Sequence, residues 1–292
     1  MSDEGQVTRK LESAPAPLGD EQILTDAGFC WREQGQVKVL VCEELERAGF
    51  ANGFSTRLGG VSPFPANDLN LAGFDEDSTA SIDENRRRFL SAFEGDFRLA
   101  TVWQVHGDGI KTVGNDADVE SSNDKFDALV SDLPGILVGV KTADCVPVLL
   151  GDPKTGAFAA VHAGWRGTSR SIVAKAVERM QKDFGTDPEG LTAAIGPAAS
   201  GRCYEIGEDV IEAFGQNISR SERYFTATRD GHALVDLHSA NRDQLLEKGV
   251  PETAIFTAPF CTMERTDLFF SYRVEKKLYG KTGRLLSVIG KK

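Results

Sequence analysis

Short apolar runs broken by turn residues alternate along most of the chain, and spacings of two and of three to four trade places. Residues 37–41 (VKVLV) predict a strand, and residues 53–56 a second that runs into the turn Arg57-Leu58-Gly59-Gly60. Residues 78–93 predict a helix, with Ile82, Phe89, Leu90 and Phe93 set against Asp83, Glu84, Arg86, Arg87 and Arg88. The middle of the chain is richest in strands, over 100–105, 127–131, 136–140, 146–150 and 157–161. The last two flank the turn GDPKTG, which predicts a hairpin. Residues 168–184 predict the clearest helix, capped by Thr168 or Ser169 and stopped near Gly185. A strand over 191–195 ends at Gly196-Pro197. Helices over 208–214 and 237–248, strands over 254–257 and 284–289, and a core-lining strand at 269–273 complete the pattern. Strands and helices mix without a fixed repeat, so the expected class is α/β (α+β mixed) with mixed sheets.

Composition narrows this picture. The chain has 292 residues, 40% hydrophobic and 26% charged, which suits one large globular unit. Residues 1–20 are polar and Pro-spaced, without the basic start and apolar centre of a signal peptide. They are expected to be a flexible leader to a single catalytic domain over 21–292. A net charge of -11 argues against binding nucleic acid, yet leaves room for a small anion held by a local group of arginines. No apolar run approaches the roughly 18 residues of a membrane span, so no membrane is expected. The five cysteines are odd in number and scattered, which favours reduced thiols and a cytoplasmic setting.

Only four histidines are present, and two stand at predicted strand ends. His106 lies in WQVHG and His162 in VHAGWRG; Cys145 lies between them in TADCVP. Neighbouring strands can bring such side chains together above a sheet. Imidazole nitrogen and thiolate sulfur are zinc donors, and three of them leave the fourth position that a catalytic zinc needs. Spacing alone is weak support, because neither C-x-x-C nor H-E-x-x-H occurs. The plainer reading makes Cys145 a core thiol and the histidines caps of strand ends.

The segments GFSTRLGGVS (53–62), QVHG (104–107), TADCVP (142–147) and VHAGWRG (161–167) together resemble the YfiH family. That family is also called the laccase-domain or multicopper polyphenol oxidoreductase family. Further matches follow in order: IGP (195–197), CYEIG (203–207), Asp236-Leu237, Asn241-Arg242, Cys261-Thr262 and FSYR (270–273). The resemblance runs from about residue 40 to residue 292. It implies metal ligands at His106, Cys145 and His162 and an α-β-β-α sandwich shared with certain cysteine hydrolases. It also implies a zinc-dependent purine nucleoside phosphorylase that takes adenosine, inosine, guanosine and methylthioadenosine with phosphate, and that deaminates adenosine. Asn52 stands where the family often has His, and Ala198 where it often has Cys, which touches the details of purine contact.

Each activity asks for particular groups. Deamination needs a carboxylate to move protons, and Asp144 is the candidate; its alternative is to hydrogen-bond a ligand histidine. Phosphorolysis needs an oxyanion cradle, for which Arg57 beside Gly59 and Gly60 is the candidate, an ordinary turn with a surface arginine being the alternative. Arg166 is expected to assist phosphate or purine, or else to form a salt bridge, and Arg273 is open to facing the pocket. His232 and His238 are expected to be exposed, Cys30, Cys42 and Cys261 to be packing thiols, and Cys203 to be structural near the site. Cu²⁺ is the alternative metal, but a true multicopper oxidase draws on about ten histidines. A metal-free cysteine hydrolase, with Cys145 as nucleophile and His106 or His162 as base, is the other rival. A binding protein with a structural zinc fits three ligands poorly, since such sites are closed by four.

Overall fold

The computed structural model describes residues 19–63, 68–72 and 77–292. The expected leader lies outside these residues except for its last two, Gly19 and Asp20, which open the helix Asp20–Asp26. The described strands are β1 (Phe29–Gln34), β2 (Val37–Cys42), β3 (Ala51–Ser55), β4 (Arg98–Ala100) and β5 (Ile110–Thr112). Next come β6 (Ala128–Ser131), β7 (Ile136–Thr142), β8 (Val146–Gly151), β9 (Phe158–Ala163) and β10 (Thr192–Ile195). The last are β11 (Glu205–Gly207), β12 (Phe225–Arg229), β13 (His232–Val235), β14 (Ile255–Thr257) and β15 (Leu285–Lys291).

They form two mixed six-stranded sheets, in the orders β1-β2-β3-β15-β7-β4 and β14-β10-β8-β9-β6-β5, and a small sheet β11-β13-β12. Alternation along each strand sorts its side chains between layers. Leu40 of β2, Leu129 of β6 and Leu149 of β8 enter the core between the two large sheets, with Phe54, Phe158 and Ala160. Their neighbours Val39 and Val41 turn outward to a layer with Phe89 of the helix Thr79–Leu90. Val148 and Leu150 turn the other way, onto Ile172, Val173, Ala176, Val177 and Met180 of the helix Ile172–Phe184. The result is the α-β-β-α sandwich. Strands such as β8 and β9 are buried on both faces, which is why they read as unbroken apolar runs.

Three expectations need correction. Residues 100–105 are not a strand: β4 ends at Ala100, and beyond it the side-chain amide of Gln104 takes the place of a ladder partner. It donates to Lys141 O at 2.6 Å and accepts from Lys141 N at 2.8 Å. The helix expected over 168–184 is two, Trp165–Ser169 and Ile172–Phe184, divided at Ser171, whose φ of 60° is left-handed. Thr168 and Ser169 are therefore buried inside the first helix and cap nothing, while Gly185 does stop the second. Residues 269–273 are not a strand either. Phe269 and Phe270 are core, and Ser271 caps the helix Tyr272–Tyr279 by accepting from Val274 N.

Candidate metal centre

Strand register brings two of the three candidate ligands together. In the β8–β9 hairpin Pro147 lies opposite His162 and Val146 opposite Ala163, and the next residues beyond that pair are Cys145 and Gly164. His162 shares its strand face with Ala160 and Phe158, so it stands at the end of the layer between the sheets. Cys145 follows Asp144, whose φ of 87° turns the chain sharply into β8. His106, with a φ of 57°, sits in the irregular link between β4 and β5 and not at a strand end. One ligand atom from each of His106, Cys145 and His162 lies within 4.8 Å of the others. The imidazole rings are 4.9 Å apart and meet edge to face. A Cβ on Gly164 would stand 3.0 Å from Cys145 Sγ and 3.3 Å from His106 Cδ2, so the convergence depends on a missing side chain. Gly164→Ala is expected to push sulfur and imidazole apart and weaken metal binding by about tenfold or more. Competition against a chromophoric chelator measures this, and unchanged affinity would show that the neighbours can give way.

The residue that organises the group is Asp127, at the head of β6, which sequence reading placed only within a strand. Its carboxylate has no exposed surface. It accepts from His106 N at 2.9 Å, Gly107 N at 2.7 Å and Val105 N at 3.3 Å, and it bonds His162 Nδ1 at 2.8 Å. One carboxylate thus shapes the loop that carries one histidine and orients the ring of the other, turning His162 Nε2 toward Cys145. Its signal in the sequence was a charge heading a wholly buried apolar strand, which must be paired to be tolerated. We expect Asp127→Asn to weaken zinc binding about 10–100-fold, because an amide presents N–H where the backbone and ring need an acceptor. Isothermal titration of the metal-free variant checks this; wild-type affinity would reduce Asp127 to a loop anchor.

The electrostatics suit a bound cation. Burial pushes the Cys145 thiol up, but the charge of His162 and hydrogen bonds from both histidines prevail and bring it down to about 6. Burial disfavours a charged His162, yet Cys145 and Asp127 outweigh it and raise the ring to about 9. Two imidazoles and a thiolate-prone sulfur are borderline-soft donors, which fit zinc and also copper.

These three residues line a cleft of about 760 Å³. Its wall includes the exposed aromatic rings of Trp103 and Tyr272, and five cationic side chains: Arg86, Lys141, Arg166, Arg273 and Arg284. Asp144 is the only carboxylate among the described lining residues. An acidic protein therefore carries a locally basic cleft beside the donor set.

The other expected site residues divide. Arg166 lines the cleft, exposed, with its guanidinium 4.2 Å from the ring of Trp165; no salt bridge holds it among the described residues. Arg273 also lines the cleft, over the ring of Tyr204 at 4.9 Å. Asp144 lines it too, but bonds neither histidine: it accepts from Thr262 Oγ1, Ser271 Oγ and Arg273 N. Burial raises its pKa against these donors.

Arg57 is neither a cradle nor a surface residue. It is buried, paired with Asp68 through Nε and Nη2 and with Glu275 through Nη1, and bonded to Thr266 O. Gly59 and Gly60 are packing requirements, since a Cβ would meet Gln36 O at 2.5 Å and Asp68 O at 2.0 Å respectively. None of the three lines the cleft. His238 is half-buried and bonds Gly196 O, and His232 is a half-buried residue at the start of β13. Asn52 closes onto the backbone of Cys42, and Ala198 is core, so neither departure from the family lies on the cleft. Cys42 is a packing thiol that burial pushes up to about 11. Cys261 is buried, and its sulfur lies within 4.8 Å of ligand atoms of Cys203 and Glu264.

Fold and donor set together define an α-β-β-α sandwich with a candidate site for one divalent metal ion. The chain belongs to the YfiH family: the family model described as multi-copper polyphenol oxidoreductase laccase matches residues 51–292. It is 37% identical over 244 residues to a purine nucleoside phosphorylase of Bacteroides thetaiotaomicron, covering 80% of this chain and 89% of that one. To the purine nucleoside phosphorylase YfiH of Escherichia coli it is 36% identical over 255 residues, covering 86% and 98%. Among solved structures, the hypothetical protein YfiH of Bacillus licheniformis superposes with a TM-score of 0.82 at 31% identity, covering 90% of this chain and 99% of that one. YlmD of Geobacillus stearothermophilus gives 0.81 at 31% identity, covering 90% and 98%.

Proposed function

We propose that this chain is a zinc-dependent purine nucleoside phosphorylase of the cytoplasm, acting on adenosine, inosine, guanosine and methylthioadenosine, with adenosine deamination as a second activity. The observation that carries this reading is the convergence of His106, Cys145 and His162 within 4.8 Å on the wall of a cleft edged by aromatic and cationic side chains. The relatives' names support it. Held by His106, Cys145 and His162, a zinc ion supplies Lewis acidity to this part of the cleft.

The chain's own groups do the rest. Trp103, 51% exposed, and Tyr272, 49% exposed, offer ring faces on which a purine stacks. Arg166 lacks a carboxylate partner among the described residues and is the best placed guanidinium to hold phosphate, with Arg273 beside it in the cleft wall. In phosphorolysis a phosphate oxygen bonds the anomeric carbon as the glycosidic C–N bond breaks. The electron pair leaves with the purine, which then takes up a proton. Holding phosphate and nucleoside together supplies the orientation this step needs. For deamination, Asp144 in the cleft wall is the carboxyl assigned to proton movement.

A second reading draws on the same geometry. Cys145, His162 and Asp127 stand in the order thiol, imidazole and carboxylate, the arrangement of a metal-free cysteine hydrolase. Iodoacetamide treatment in the presence of chelator, followed by zinc, separates the two. Zinc protection of the thiol together with zinc-restored activity supports the metal reading; full activity under chelation supports the hydrolase.

The direct test incubates metal-analysed protein with adenosine, with and without phosphate. Adenine and ribose-1-phosphate appearing only with phosphate, together with phosphate-independent inosine, are the expected products. If none forms, the assignment fails.

A further inference from the structure

We propose that Cys203, Cys261 and Glu264 form a second site, for an exchangeable thiophilic divalent cation, on the far side of the cleft wall from the first. One ligand atom from each lies within 4.8 Å of the others. Two sulfurs sharing a tetrahedral zinc at ~2.3 Å are about 3.8 Å apart, a separation this group accommodates. The two cysteines come from distant segments that the fold pins together. Ala198 pairs with Cys261 in a parallel bridge, and Ser200 N donates to Cys261 Sγ at 3.3 Å. Ser200 Oγ stands 3.7 Å from Cys203 Sγ. Each sulfur therefore faces an N–H or O–H donor, the kind of outer partner that steadies a metal thiolate.

Burial is graded in the order a metal would use. Cys261 is buried, Cys203 half-buried and Glu264 exposed, so the soft donors lie inside and the carboxylate stands at the solvent side. Glu264 is paired with Arg202, an exposed contact that gives way at little cost. Three protein donors with one at the surface make an open, exchangeable site and not a closed structural one.

Its position links it to the cleft. Thr262, next to Cys261, donates to Asp144 Oδ1 at 2.7 Å, and Ala199 N donates to Asp144 O at 3.0 Å. Tyr204, next to Cys203, is itself a lining residue. A cation here ties the segment 198–204 to the turn 261–264 and stiffens the wall that carries Asp144. None of its three donors is a group assigned to nucleoside chemistry, so the site stands whichever substrate the cleft takes.

The test is zinc stoichiometry by equilibrium dialysis and elemental analysis on the full chain, kept reduced with a phosphine. Wild type is expected to hold two equivalents, Cys145→Ala one, Cys203→Ser one, and the double variant none. Because Cys261 is buried, the surface change Glu264→Gln supplies the variant that keeps its fold; its second equivalent should bind at least tenfold more weakly. Cobalt(II) titration gives an independent readout, with thiolate charge-transfer absorption rising in two steps in wild type and in one step in Cys203→Ser. A single equivalent in reduced wild type that Cys203→Ser retains overturns the proposal, as does a second equivalent that survives in both Cys203→Ser and Glu264→Gln. Loss of two thiols on air oxidation, with only one equivalent bound when reduced, also overturns it and makes the pair a disulfide instead.

Discussion

Cys145→Ala should hold no zinc at the first site after dialysis and should lose at least about a thousandfold in kcat/KM with adenosine and phosphate, roughly 4 kcal/mol of transition-state stabilisation. Sulfur is the one anionic donor in the set, and its pKa of about 6 shows how strongly the two histidines favour its charged form. Without it two imidazoles remain, too few to keep a zinc ion against dialysis. Little else should change. Cys145 is half-buried, and the hairpin around it is secured by the full β8–β9 ladder, so circular dichroism and the melting temperature should stay near wild type. The mechanism would be abandoned if the folded variant kept either its metal or its rate.

Arg57→Met should be the most destabilising of the single changes considered, by about 3–5 kcal/mol, or ~10 °C in melting temperature for a chain of this size. Arg57 is 6% exposed, and its guanidinium is gripped by two carboxylates, Asp68 and Glu275, and by Thr266 O. Its face rests on Phe270, 4.6 Å from the ring centroid. Removing the cation strands two buried negative charges against each other, and a lysine could not restore the two-toothed contact with Asp68. Arg166→Ala makes the opposite prediction: unchanged melting and a higher KM for phosphate. If instead Arg57→Lys melted normally and lost phosphate, and Arg166→Ala did neither, the two arginines would have to exchange roles.

The different roles of the two arginines are not written in the residues around them. Arg57 beside two glycines looks like an anion cradle, and the glycines do matter, but for clearance against Gln36 and Asp68. The partners that claim Arg57 stand 11 and 218 residues away. Asp127 was missed for a related reason. A carboxylate at a strand head is unremarkable until four donors converge on it from His162 and the loop 105–107. Asp144, adjacent to a candidate ligand, has pairing with a histidine as one of its two readings from sequence, yet its left-handed turn brings its carboxylate to Thr262 and Ser271.

What the chain declares locally is the layered class and most of its elements. The apolar runs of 37–41 and 146–150, the helical stripe of 172–184 and the glycine stop at 185 are properties of neighbouring residues, and the elements follow from them. Residue types also sufficed to single out two histidines and one cysteine as a possible donor set. Tertiary structure alone decided that they meet, that Gly164 leaves them room, that Asp127 orients one and anchors the other, and which arginines face the cleft. The physical reason is range. Periodicity is written in contacts a few residues apart, whereas a buried charge is settled by whichever partner the packed sheets bring within about 3 Å, and sequence separation says nothing about that.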